Sequence, residues 1–181
     1  MNKETEHLAL SRPLRVDEIR DEASGSVETT ASERTVIAKL LDLRGLEGLA
    51  LTYRLVRAGA GRLRLKGGLK AKVIQTCVLS LEPLESTLEV PVEIEFWPEA
   101  MIAAHAERED GQGAPALAEW PEPISGGRID LGPLIYETLA TSLEPYPKRE
   151  GVSFEWSQEG EASNREPITS PFAALGALKR P

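Results

Sequence analysis

The chain has 181 residues, 41% of them apolar, 28% charged and only 5% aromatic, and its formal net charge at pH 7 is −8. That length closes one core, or one core with tails, built mainly from Leu, Val, Ile and Ala, and the charged fraction is that of a soluble protein. No stretch approaches the ~20 apolar residues that span a bilayer, the N-terminus MNKETEHLALSRP has no signal-peptide h-region, and the single cysteine, Cys77, rules out an internal disulfide.

A cytoplasmic protein without a membrane segment is the expectation. His7 and His105 are the only histidines, too few beside one cysteine for the close-spaced ligand sets of soft metals, and poorly placed for a Ser/His/Asp or Cys/His arrangement. The expected protein is therefore not an enzyme and has no catalytic, cofactor or metal site.

Residues 1–13 are polar and read as a flexible N-terminus. In SRPLRVDEI, Leu14, Val16 and Ile19 share one side, which suits a short strand entering a helix or turn; the apolar signal then fades, and Ser24, Gly25 and Ser26 read as a loop. From Ser32 as N-cap, the spacing of Val36, Ile37, Leu40, Leu41 and Leu43 predicts a helix over 33–43, closed by Gly45. LALTYRLVR, residues 49–57, is a strand pattern that ends at Ala58-Gly59-Ala60-Gly61, a hairpin connection.

The next strand, RLRLKGGLKAKV at 62–73, has period two. Leu63, Leu65, Leu69, Ala71 and Val73 point one way, and Arg62, Arg64, Lys66, Lys70 and Lys72 the other. Gly67 and Gly68 interrupt the run without shifting its alternation, which marks a bend or a close backbone approach. The third run, LESTLEVPVEIEF at 84–96, sets Leu84, Leu88, Val90, Val92, Ile94 and Phe96 on one face and Glu85, Glu89, Glu93 and Glu95 on the other. Pro91 cannot donate to a ladder, so this strand is expected at an edge or bulged.

From 97 to 127 the pattern dissolves into an acidic, Pro- and Gly-rich loop. Order returns at RIDLGPLIYETLATSLEPYP, where Pro133 in the first turn and an apolar stripe predict a helix over 133–143, with Asp130 at its N-terminus. Trp97 and Tyr146 are expected to staple element ends to the core. The expected fold class is α+β: an antiparallel meander or open barrel-like sheet packed with about two helices, a long acidic loop and flexible termini. One domain is expected over 14–156, followed by a flexible tail, 157–181, with the short apolar motif PFAALGALK.

No Asp or Glu occurs between Glu47 and Glu82, whereas Arg54, Arg57, Arg62, Arg64, Lys66, Lys70 and Lys72 all do. These seven bases are the candidate binding surface. They meet either a polyanion, with strongly salt-dependent binding, or the protein's own acids, since a neighbouring strand 84–96 would face them with glutamates. No aromatic is interleaved with them for base stacking. Asp130, Glu137 and Glu144 are not brought together by helical spacing and do not indicate a metal-dependent nuclease.

The runs QTCVLSLEPLE, VEIEF, IDLGPLIYETLATSLEPYPKREGVSF and PFAALGALK, spread over about 14–181, resemble the YceD family of large ribosomal RNA subunit accumulation proteins. The resemblance implies a small, soluble bacterial protein, with chloroplast relatives, commonly encoded beside a large-subunit ribosomal protein and needed for normal accumulation of the large-subunit RNA. Its implied partners are that RNA or ribosome assembly proteins, and no enzymatic activity is implied. Where many members carry Cys-x-x-Cys in the form C-x-R-C-L-E-P, this chain has Cys77-Val78-Leu79-Ser80-Leu81-Glu82-Pro83. Ser80 is a poor soft-metal ligand and forms no disulfide, and Cys77 is expected as a buried or semi-buried strand residue rather than a reactive thiol.

Overall fold

The computed structural model describes residues 10–109 and 120–153. The described residues up to Glu150 form one compact unit. The expected tail at 157–181, with its apolar motif, lies outside the described residues, as do positions 1–9.

The chain runs β1 (Pro13–Arg15), a 3-10 turn (Val16–Glu18), β2 (Glu22–Glu28), α1 (Ala31–Leu40), β3 (Gly45–Arg57), β4 (Leu63–Thr76), β5 (Pro83–Pro98), α2 (Glu99–Glu109), β6 (Glu122–Ile124), β7 (Arg128–Asp130) and α3 (Leu131–Ser142). β2 to β5 form an antiparallel meander, β6 adds to β5 in parallel, and β1 pairs with β7 in a small second sheet. The large sheet does not close on itself. An α+β fold with a mostly antiparallel sheet is what alternation in the sequence predicts.

Alternation sets the core directly. Leu63, Leu65, Leu69, Ala71 and Val73 of β4 are all buried, together with Leu49, Leu51 and Leu55 of β3 and Val92 and Phe96 of β5. Leu131, Ile135 and Leu139 of α3 join the same cluster, and α3 packs on β4 and β5. Each fully buried Leu or Ile contributes about 1.5–3 kcal/mol of transfer free energy, so this inner face accounts for most of the hydrophobic stabilisation. Pro91, in register with Gly68 of β4, lies where β5 has a partner strand on one side only, since β6 pairs only with Phe96–Pro98, the edge position that a proline tolerates.

Three local expectations give way. Ser24, Gly25 and Ser26 belong to strand β2, not a loop; Gly25 sits opposite Tyr53, whose hydroxyl would lie 2.7 Å from a Cβ, so the glycine makes room for the ring. Helix α1 begins from Thr30, not Ser32. The Thr30 hydroxyl accepts from Glu33 N at 3.3 Å, and the Glu33 carboxylate accepts from Thr30 N at 2.7 Å, a reciprocal capping box. The helix stops before Gly45, because Asp42 takes φ +51° and Leu43 N donates to Ala38 O at 2.8 Å, a Schellman closure. Ile37 then faces the core, while Val36 and Leu40 are 43% and 53% exposed. The third difference falls in the acidic segment: α2 and β6 are regular elements inside the range read as loop.

The N-terminal segment is also built in from Leu10, which is 1% exposed and belongs to the core cluster. Asp130 gathers that segment. Its carboxylate accepts from Ser11 Oγ at 2.6 Å, Arg12 N at 2.6 Å and Gly132 N at 2.8 Å, the last being the α3 N-cap bond. Burial alone would raise the Asp130 carboxyl, but the hydrogen bonds from Ser11, Arg12 and Gly132 outweigh it and hold it below the usual range. A carboxyl depressed on folding stabilises the protein fully above its unfolded value, about 3.9, and that contribution is lost as pH falls through the lower folded value. Chemical denaturation at stepped pH is expected to show this acid loss in the wild type and a flatter profile in Asp130→Asn. The substitution itself is expected to cost about 2 kcal/mol at pH 7, since an amide cannot accept all three bonds with a charge.

Candidate nucleic-acid interface

The seven predicted bases divide into a zipper and two corner arginines. On the outer face of the sheet, β4 lies between β3 and β5, and the register sets Arg64 opposite Glu95, Lys66 opposite Glu93 and Lys70 opposite Glu89. Arg64 Nε donates to Glu95 Oε1 at 3.0 Å, Lys66 pairs with Glu93 at 2.8 Å and Lys70 with Glu89 at 2.9 Å. The register shift between Leu46 and Gly48 places an extra residue, Glu47, in β3, and Lys72 pairs with it and with Glu85 at 3.7 Å. On the β2 side, Arg54 pairs with Glu22. The remaining two leave the zipper. Arg62 donates to Ala58 O at 3.2 Å and lies 5.4 Å above the Trp97 ring, and Arg57 donates to Ile19 O at 2.8 Å and Val16 O at 2.9 Å.

The proton equilibria follow these pairs. The Arg64 guanidinium is raised by its hydrogen bond to Glu95, Glu95 is lowered by Arg64 and then by Trp97, and Lys72 is raised by Glu47. Single surface pairs contribute little, ~0–1 kcal/mol, but their effect on the field is not small. Arg54, Arg62, Arg64, Lys66, Lys70 and Lys72 share the outer face with Glu22, Glu28, Glu47, Glu85, Glu89, Glu93 and Glu95, six bases against seven carboxylates. The stripe that reads as a polyanion footprint in isolation lies on a face of net negative charge.

Aromatics gather at the other end of β5. Trp97 Nε1 donates to Glu95 Oε2 at 2.9 Å, and the ring is part-buried, which fits the expected staple. His105 of α2 lies 5.3 Å from Trp97 and 5.5 Å from Trp120, and Arg62 lies over the Trp97 ring. Sequence reading missed this stack, because its rings come from three separated segments. Tyr146 departs from expectation. It is 76% exposed and staples nothing.

Cys77 is wholly buried in the turn after β4, where its N–H donates to Glu82 O at 2.9 Å and its sulfur accepts from Arg149 N at 3.4 Å. The Ser80 hydroxyl, then the N–H groups of Ser80, Arg149 and Leu79, hold the thiol well below its ordinary range, at about 6. A thiolate that no reagent reaches is inert, so alkylation by iodoacetamide at pH 7.5 is expected to be slow in the native protein and fast in denaturant, as followed by mass spectrometry. No group of three or more His, Cys, Asp or Glu among the described residues could hold a metal ion. Asp130 is a cap, and Glu144 accepts from Tyr146 N at 3.5 Å.

The molecule is thus an α+β domain on an open, mostly antiparallel sheet, with its outer face zipped by cross-strand charge pairs. The family model described as large ribosomal RNA subunit accumulation protein YceD matches residues 65–179, well over half of the chain, and the chain belongs to that family. The family's name ties it to accumulation of the large-subunit ribosomal RNA. No curated protein and no solved structure matches the chain.

Proposed function

We propose that this chain is a non-enzymatic, cytoplasmic accessory protein that supports accumulation of the large-subunit ribosomal RNA by binding RNA of the assembling subunit. Membership of the YceD family carries this reading. Five of the seven predicted bases, Arg54, Arg64, Lys66, Lys70 and Lys72, are matched by carboxylates, which favours an RNA contact away from that zipper.

A second reading has its own observation behind it. A sheet face with more carboxylates than bases, on a chain of net charge −8, suits an adaptor for basic ribosomal proteins or assembly factors without RNA contact. Filter binding to large-subunit RNA fragments at ~50 and ~200 mM salt separates the two. The RNA reading expects binding at the lower salt that weakens steeply at the higher, by ~0.7 in log K per log salt for each single-strand phosphate contacted. No binding at either salt would leave the adaptor.

A further inference from the structure

We propose that the arginine-lined cleft between the 3-10 turn, the end of β3 and the β6–β7 turn holds a backbone phosphate of that RNA. The inference rests on the RNA reading above and gives it a place. The cleft has a volume of about 430 Å³ and is lined by Arg15, Val16, Asp17, Arg57, Gly126, Gly127 and Arg128. Three pieces of chain far apart in sequence meet there, which is why no linear pattern of bases shows it.

The charges in this cleft differ in kind from those of the zipper. Arg15 is spent on Asp17, at 3.0 Å from Nε to Oδ1, and on Glu18 at 3.5 Å. Arg57 has no carboxylate partner among the described residues. Its Nε and one Nη donate to the Ile19 and Val16 carbonyls, which fixes the guanidinium and leaves its other Nη free to donate. The Arg128 side chain has neither a hydrogen bond nor an ion pair among the described residues. Two guanidiniums without counter-ions, one of them already held in place, are what a phosphate oxygen pair needs.

The turn completes the wall. Gly126 and Gly127 take φ +56° and +70°, the two-residue hairpin geometry that glycine favours, and Ser125 and Arg128 exchange both backbone bonds across it at 3.0 Å. Nothing lies within 4 Å of where a Cβ would stand on either glycine. Their N–H groups make no hydrogen bond among the described residues, so a ligand can approach the bare backbone closely. Such a site positions an RNA strand without reading its bases.

The test uses the full chain. An amide-resolved NMR titration with inorganic phosphate, and separately with a short single-stranded RNA, is followed at Gly126, Gly127, Arg128 and the Arg57 side chain. Filter binding to large-subunit RNA fragments is measured for wild type, Arg128→Ala and Arg128→Glu, with thermal melting to confirm that each exposed-turn variant folds. The expected result is a shift of these signals with RNA, an affinity loss of at least about tenfold for Arg128→Glu, and a salt slope smaller by ~0.7, the share of one phosphate. If folded Arg128→Glu binds the fragments as wild type does, the cleft is excluded while the RNA reading stands. Shifts with inorganic phosphate but no RNA binding by wild type would overturn the RNA phosphate in favour of a free anion. No shifts and no RNA binding would remove both.

Discussion

Gly67→Ala is expected to lower stability by about 3 kcal/mol or more, seen as a melting temperature roughly 10 °C lower with the fold otherwise unchanged. A Cβ on Gly67 would stand 2.1 Å from the Thr52 carbonyl oxygen, 3.0 Å from Tyr53 Cα and 3.1 Å from Thr52 C. All three are backbone atoms of the paired strand β3, so no side chain can rotate away to make room. Relief requires β3 and β4 to separate at the rung where Tyr53 faces Gly67, and β4 is the sheet's central strand, with Leu65 and Leu69 buried on either side. Gly68→Ala is the matched control. Its Cβ would meet nothing closer than Val90 O at 3.8 Å, an ordinary contact, and a change within about 1 kcal/mol is expected. Equal effects from the two substitutions would mean that glycine's backbone freedom, and not the close approach, is what the sheet requires.

Gly132→Ala is expected to cost a similar amount by a different route, about 3 kcal/mol, with early proteolytic access to the N-terminal segment. Here the added Cβ would lie 2.1 Å from Leu10 O, 2.6 Å from Leu10 C and 2.9 Å from Ser11 Cα. The chain at Leu10–Ser11 crosses the first turn of α3 in van der Waals contact with its backbone. Moving it off breaks the Asp130 bonds to Ser11 and Arg12 and draws Leu10 out of the core. Limited proteolysis with chemical denaturation checks this. The sequence IDLG, which carries part of the family resemblance, thus has a mechanical meaning. Asp130 grips the incoming strand and Gly132 gives it room.

Period two is fully legible in β3, β4 and β5, because each buries one face and leaves the other in water. β2 escapes because its inward positions, Ala23, Gly25 and Val27, are small, the middle one vacated for a tyrosine ring from β3. Thr30 and Glu33 form a capping box that the sequence does spell, three residues apart, and that Ser32 obscures. The alternation of charge across β4 and β5 is legible too, but the bulge that carries Glu47 onto Lys72 is not. The arginine cleft cannot be read from spacing. Its linear signs are Arg57, early in the run of bases, and Gly126-Gly127 between two short strands, a hairpin signal set in a stretch whose prolines and acids suggest no structure at all.

Whether the sheet's own glutamates neutralise the basic stripe is open to a charge exchange. Lys66 and Glu93 face each other across β4 and β5 at 2.8 Å. Lys66→Glu, Glu93→Lys and the chain carrying both are compared for melting temperature and for affinity to large-subunit RNA fragments. With the stripe neutralised in this way, each single substitution lowers the melting temperature, the exchange restores most of the loss, and the exchanged chain binds RNA as wild type does. A folded exchange whose RNA affinity falls as far as that of Lys66→Glu alone would contradict that neutralisation, and would return the stripe to the RNA.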